Sequence, residues 1–124
     1  RLGGDDAIRP ELPASPEDRP AGPVRALHQA LIGARRRLPW LHDAEVEALH
    51  LDNTVLSLRM RPRRPEGEDA EDPEAVLVLS LEESEVWLPA AGRSHVLAST
   101  HDAPPPRPER DGVVLPPLGW AVLT

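Results

Sequence analysis

The residues best suited to chemistry lie at the start of the chain, in the sequence RLGGDDAIRPELP of residues 1–13. A phosphate loop is excluded there, because no strand precedes the glycines and two aspartates would repel an anion. Asp5, Asp6 and Glu11 supply the carboxylates that calcium prefers, although their spacing is not that of an EF-hand. A calcium loop and a solvated terminus are therefore both compatible with these residues.

The other polar clusters predict neither a catalytic site nor a bound metal or cofactor. The histidines lack zinc-ligand spacing, and the absence of cysteine excludes thiolate metal sites, disulfides and cysteine nucleophiles. The acidic run at 82–85 predicts a solvated turn between strands. The arginines at 59, 61, 63 and 64 precede an acidic loop, which predicts mutual screening. The five histidines are His28, His42, His50, His95 and His101.

Three tryptophans are the only large aromatic residues, because the chain has no Phe and no Tyr. Trp40 follows a helix-stopping proline, which favours packing at a junction. Trp120 belongs to the last predicted strand and alternates there with Val122, so it lies either in the core or on the opposite face. Trp87, in the sequence EVWLP, is expected to be the most exposed of the three. Trp87 is therefore the candidate for stacking on a sugar ring.

Composition limits the partners and the size of the fold. A chain of 124 residues has room for one domain with an appendage. The formal net charge of −7 argues against a nucleic-acid partner, which requires clustered cations. No apolar stretch is long enough for a signal peptide or a membrane span, so we expect a cytoplasmic protein. Since the first residue is Arg1, we expect a fragment whose natural start lies upstream.

The periodicity predicts one helix followed by six or seven short strands. The helix begins near Pro23 and ends before Pro39, and its apolar residues recur at three- and four-residue steps. These residues are Val24, Leu27, Leu31, Ala34 and Leu38. Strands are predicted at 44–51, 53–61, 75–81, 84–89, 94–100, 112–116 and 119–124. The fold class is mainly β: an antiparallel β-sandwich preceded by one amphipathic helix and an extended N-terminal loop.

The order of these segments resembles the C-terminal end of the alpha-amylase family, glycoside hydrolase family 13. The sequence VRALHQALIGARRRLPWLHDAEVEALHLDNTVLSLRMRP is similar to the last helix of the catalytic barrel running into the first strands of domain C. The sequence LPPLGWAVL is similar to the closing strand of that all-β domain. The resemblance implies that residues 1–40 are the tail of the catalytic barrel and residues 41–124 a C-terminal β-sandwich domain.

The resemblance also implies a role for the opening residues. Family members carry an aspartate and, four residues later, an arginine in the loop after the eighth barrel strand, where both bind hydroxyls of the substrate glucose unit. Asp5 and Arg9 have this spacing, with Asp6 as the alternative partner. Asp6 and Ile8 stand where the family usually has proline and asparagine. The catalytic carboxylates of the family would all lie upstream of Arg1, so the chain alone is expected to be inactive.

The expected function is thus that of a non-catalytic accessory domain in a retaining α-glycosidase that acts on an α-glucan or a small glucoside. Its main partner would be the catalytic barrel. Alone, the chain is expected to self-associate through residues 24–40. Two alternatives remain from the sequence: a carbohydrate-binding β-sandwich module and a stand-alone interaction domain.

Overall fold

A computed structural model describes residues 13–19, 22–63, 73–100 and 103–124. These residues form one α-helix, two short 3-10 helices and eight antiparallel strands, which confirms the predicted mainly β composition and the single helix. The elements are a 3-10 helix at Pro16–Asp18, α1 at Pro23–Arg37, a 3-10 helix at Pro39–Asp43, β1 at Ala44–Leu51, β2 at Val55–Pro62, β3 at Ala75–Ser80, β4 at Val86–Pro89, β5 at Val96–Ser99, β6 at Arg107–Pro108, β7 at Gly112–Leu115 and β8 at Trp120–Leu123.

The bounds of α1 follow from its two ends. Gly22 is the N-cap residue and Pro23 occupies the first helical position, where the missing N–H of proline costs no hydrogen bond. Three arginines in the last turn complement the negative end of the helix dipole. Pro39 then prevents continuation and begins the second 3-10 helix.

The larger sheet has five strands in the order β1-β2-β3-β8-β5. β3 is its central strand, and its sequence AVLVLS is nearly continuously apolar because both of its faces are covered. β1 and β2 form a hairpin whose register shifts between Ala48 and His50. The shift places Leu49 against the core while Val46 and Leu51 share the opposite face.

The smaller sheet has three strands in the order β4-β7-β6. β6 is the one strand that the sequence does not predict, because its two residues, Arg107 and Pro108, lie in a proline-rich stretch. Proline is tolerated there because β6 is an edge strand. The β1–β2 turn also differs slightly from the prediction, since residues 52–54 rather than 52–53 connect the strands. The Asp52 carboxylate holds this turn by accepting the Thr54 N–H at 2.8 Å.

Nine buried apolar residues, contributed by both sheets and by Ala90 after β4, form one core cluster. The members are Val55, Val76, Val78, Leu88, Ala90, Val113, Leu115, Ala121 and Leu123. The buried Ser57 hydroxyl donates to the Pro89 carbonyl at 2.6 Å, which satisfies a polar group in the core and ties the larger sheet to β4.

The opposite face of the larger sheet carries Leu77 and Val122, which alternate with core residues along β3 and β8. Trp120 alternates in the same way and lies on this face rather than in the core. The C-terminal half of α1 and the second 3-10 helix pack here, with Leu31 and Leu41 close to Met60. We call this side of the larger sheet the helix side.

We expect Leu88→Ala to reduce the free energy of unfolding by about 2–5 kcal/mol, because Leu88 is fully buried and its loss leaves a cavity in the core. Urea unfolding followed by circular dichroism measures the change. Leu81→Ala is the matched control, since Leu81 is 59% exposed and its loss should change the stability by no more than about 0.5 kcal/mol. Equal destabilisation by both variants would contradict this assignment of the core.

Candidate functional site

The sequence-predicted site residues are not brought together within the described residues. Asp5 and Arg9, with Asp6 and Glu11, lie outside the residues that the structure describes. Trp87 lies on β4 and is 50% exposed, whereas Trp40 and Trp120 are more buried. The role of Trp87 toward a sugar stays a prediction.

Several large apolar side chains on the helix side are exposed to solvent. We call this set the uncovered apolar residues: Val24 and Ile32 of α1, and Val46 and Leu51 of β1. Val24 is 65% exposed and Leu51 is 68% exposed. Ala34, near the C-terminal end, is the one residue of α1 that is buried. The N-terminal turns of α1 therefore contain no buried residue.

An apolar groove of about 250 Å³ lies between α1 and the larger sheet. Leu31 and Ala34 form its helix wall, and Met60, Leu77 and Val122 form its floor. Its lining is almost entirely apolar, so it offers few hydrogen-bonding groups to a polar ligand. The groove marks where the helix covers the sheet incompletely.

A second groove of about 320 Å³ lies beside the C-terminal end of α1, and Trp40 lines it. Trp40 thus lies where the helix meets the strands. The polar part of the lining comes from Arg37, Glu74, Arg93, His95 and Thr124. The Arg93 Nε atom is buried without a hydrogen-bond partner within the described residues, and it lies 3.9 Å from a Glu74 carboxylate oxygen.

The smaller sheet presents an exposed face on the side away from the core. We call it the outer face and define it by Glu85, Trp87, Arg107 and Val114. The strand register aligns Trp87, Val114 and Arg107 in one row across β4, β7 and β6. Their neighbours Leu88 and Val113 point into the core, so the row faces outward.

Glu85 and Arg107 form a bidentate ion pair on the outer face. The Arg107 guanidinium donates to the two Glu85 oxygens at 2.6 and 3.1 Å, in the fork geometry that arginine and carboxylate favour. This hydrogen bonding and the opposite charge lower the pKa of Glu85 below its ordinary value of 4.5. The same contact raises the pKa of Arg107. Both groups are therefore charged at neutral pH.

Arg59 and Arg61 of β2, and Arg63 just after it, lie near carboxylates of β1 and the second 3-10 helix, whereas Arg64 and the acidic loop predicted to screen these arginines lie outside the described residues. Arg59 donates from Nε to a Glu47 oxygen at 3.0 Å, and Arg61 lies 3.5 Å from the same carboxylate. Arg59 lowers the pKa of Glu47 by hydrogen bonding and by its charge. Arg63 lies 3.9 Å from Asp43. The acidic partners within the described residues thus belong to β1 and the second 3-10 helix.

The predicted turn at 82–85 is only partly solvated. Glu83 and Ser84 are exposed. Glu82, however, is half-buried and accepts the Thr54 hydroxyl at 2.5 Å. Glu85 pairs with Arg107, as described above. Two of the three carboxylates in this run therefore have defined partners.

The histidines of the described residues make local contacts. His28 Nδ1 lies 2.8 Å from the Val24 carbonyl oxygen within α1, and His50 lies 3.6 Å from Asp52. Among the described residues, no three His, Asp or Glu side chains converge closely enough to hold a metal ion. His101 lies outside these residues. No helix in the described part of the chain is long and apolar enough to cross a membrane.

In comparisons with known proteins, no family model, no curated protein and no solved structure matches the chain.

Sequence reasoning identified Trp87 but missed its neighbours Glu85 and Arg107. Glu85 belongs to an acidic run that resembles a plain solvated turn, and Arg107 lies in a stretch of prolines. The two residues are separated by about twenty positions, and only the β4-β7-β6 strand order brings them onto one face. No local signal in either segment could have identified the pair.

We expect Arg107→Ala to raise the pKa of Glu85 toward 4.5, because the substitution removes both the hydrogen bonds and the opposite charge. In the wild type, the lowered pKa means that the pair stabilises the fold above pH 4.5 and that this stabilisation is lost as the pH falls through the lowered pKa. Carboxyl-carbon NMR titration measures the shift. Arg63→Ala is the control, and an unchanged Glu85 titration in Arg107→Ala would contradict the pairing.

Proposed function

We propose that the chain is the non-catalytic C-terminal part of an alpha-amylase family glycosidase and packs against the catalytic barrel of that enzyme. In this proposal α1 is the last barrel helix, and the strands from Ala44 onward form a β-sandwich of the domain C type. The complete enzyme would cleave or transfer at α-glucosidic bonds. Its catalytic carboxylates would belong to the barrel, upstream of Arg1.

The observation that carries the proposal is the incomplete burial of α1. A helix in a globular protein gains most of its stability by burying an apolar face. Here only Ala34 is buried, while Val24 and Ile32 remain exposed. Such a helix suits a position in the wall of a larger body, because a barrel would supply the contacts that the sheet does not.

The apolar residues of β1 support the same arrangement. Val46 and Leu51 are exposed on the helix side of the larger sheet, the side on which α1 lies. Exposed apolar groups of this size on one side of the sheet suit contact with a partner. A barrel that packs against α1 would lie on the same side as these residues.

The connection between α1 and β1 supports a close coupling of the two parts. Pro39–Asp43 forms a compact 3-10 helix without an intervening linker, and the Leu38 N–H donates to the Ala34 carbonyl at 3.1 Å. The second 3-10 helix contacts β2, and Leu41 and Met60 line the same groove. Because of this short connection, a barrel packed against α1 would have a fixed orientation relative to the strands.

We expect the isolated chain to self-associate through α1, with a Kd between about 1 μM and 1 mM, because no described part of the chain covers the apolar groups of Val24 and Ile32. Sedimentation velocity over a concentration series measures this association. Val24→Gln with Ile32→Gln should produce a monomer, since glutamine keeps the helix propensity and removes the apolar contact. Leu81→Gln is the matched control. A wild-type chain that stays monomeric at millimolar concentration would count against the proposal.

We expect Asp5→Ala in the protein encoded by the complete gene to lower turnover of an α-glucoside by roughly 100-fold or more, because a mispositioned substrate sugar reacts slowly. Thermal unfolding should change little. Asp18→Ala is the control, since Asp18 is exposed in the first 3-10 helix. Full activity in Asp5→Ala would refute the role of this residue.

A coding region that begins near Arg1 would overturn the proposal as a whole.

A further inference from the structure

The outer face combines three chemical groups: a large aromatic ring, a carboxylate and a guanidinium. Trp87 and Glu85 are two positions apart at β4 and therefore point to the same side. Arg107 reaches Glu85 across β7, above Val114, to make the ion pair. The aromatic ring and the ion pair thus lie on the same side of the smaller sheet.

The Trp87 ring packs against the backbone of β7 at Gly112. Gly112 is buried, and a Cβ atom at this position would overlap the six-membered part of the Trp87 indole. The ring can lie over the strand only because residue 112 has no side chain. One side of the ring therefore rests on backbone, while half of the side chain stays open to solvent.

The ion pair retains hydrogen-bonding capacity. The Arg107 guanidinium has five N–H donors, and the two short contacts to Glu85 use one on each terminal nitrogen. Each carboxylate oxygen likewise keeps a second acceptor position. Because each partner fixes the orientation of the other, the remaining donors and acceptors have a defined direction before any ligand arrives.

We propose that the outer face binds a neutral oligosaccharide made of pyranose rings. One face of a pyranose ring carries C–H groups, which would stack on the open side of Trp87. Its equatorial hydroxyls project from the ring edge, where the Glu85 carboxylate accepts from them and the Arg107 guanidinium donates to them.

The charges of the outer face disfavour other classes of ligand. An anionic ligand would meet the Glu85 carboxylate and a chain of net charge −7. A cationic ligand would compete with the guanidinium that already neutralises Glu85. A neutral ligand with an apolar face and paired hydroxyls matches all three groups. This inference goes beyond the proposed function, because it requires only the outer face and no catalytic barrel.

The test is titration of the chain with maltoheptaose and, separately, with cellohexaose, followed by two-dimensional ¹H–¹⁵N NMR. We expect saturable shifts of the Trp87 indole N–H, with a Kd of about 0.1–10 mM, while the Trp40 and Trp120 indoles stay unshifted. Saturation by either sugar supports the proposal, and the comparison identifies the linkage. Trp87→Ala should weaken binding at least about tenfold, and Trp87→Phe should weaken it less, since a smaller ring remains.

Two further variants test the ion pair. Glu85→Gln and Arg107→Ala should each weaken sugar binding about three- to tenfold, because each removes a charged hydrogen-bonding group. Arg63→Ala and Leu81→Ala are the matched controls, since they remove an exposed cation and an exposed apolar group away from the outer face. An absence of shifts with both sugars, or wild-type affinity in Trp87→Ala, would overturn the inference. Neither result depends on the self-association test of α1, so the two proposals fail separately.

Discussion

The fold depends on the burial of the apolar side chains on both faces of β3. Its core side is covered completely, because Val76 and Val78 pack into a cluster that includes Leu88 and Val113 of the smaller sheet. Its helix side is covered by only the last turns of α1 and the second 3-10 helix, with an apolar groove between them and Leu77. β3 is therefore fully buried on its core side and only partly buried on its helix side.

On the helix side, incomplete cover leaves a surface suited to a large apolar partner. Burial of apolar area is the main favourable term in association, and it does not require precise polar geometry. Val24 and Leu51 therefore point to domain packing rather than to recognition of a small ligand. The proposal of an accessory domain rests on the resemblance stated for the sequence, and this physical property is compatible with it.

On the outer face the situation is reversed. The smaller sheet buries Leu88, Val113 and Leu115 in the core, and its other side carries an ion pair and one aromatic ring beside Val114. An exposed ion pair contributes little to stability by itself. A tryptophan seated on a strand glycine leaves a broad flat surface in water. Groups arranged in this way are better suited to reversible contact with a polar ligand than to holding the fold together.

The sequence by itself determined the local elements: α1, bounded by Gly22–Pro23 and Pro39, the β1–β2 hairpin, and the apolar strand β3. Each is encoded by neighbouring residues, through caps, turn residues or periodicity. Only the tertiary structure decided that Trp120 lies on the helix side and that Arg107 joins Glu85. Periodicity shows that residues alternate but not which face is buried, and strand order arises from contacts between distant segments. For the same reason, the sequence indicated that Trp87 is the most exposed tryptophan but not that Glu85 and Arg107 pair on the same face.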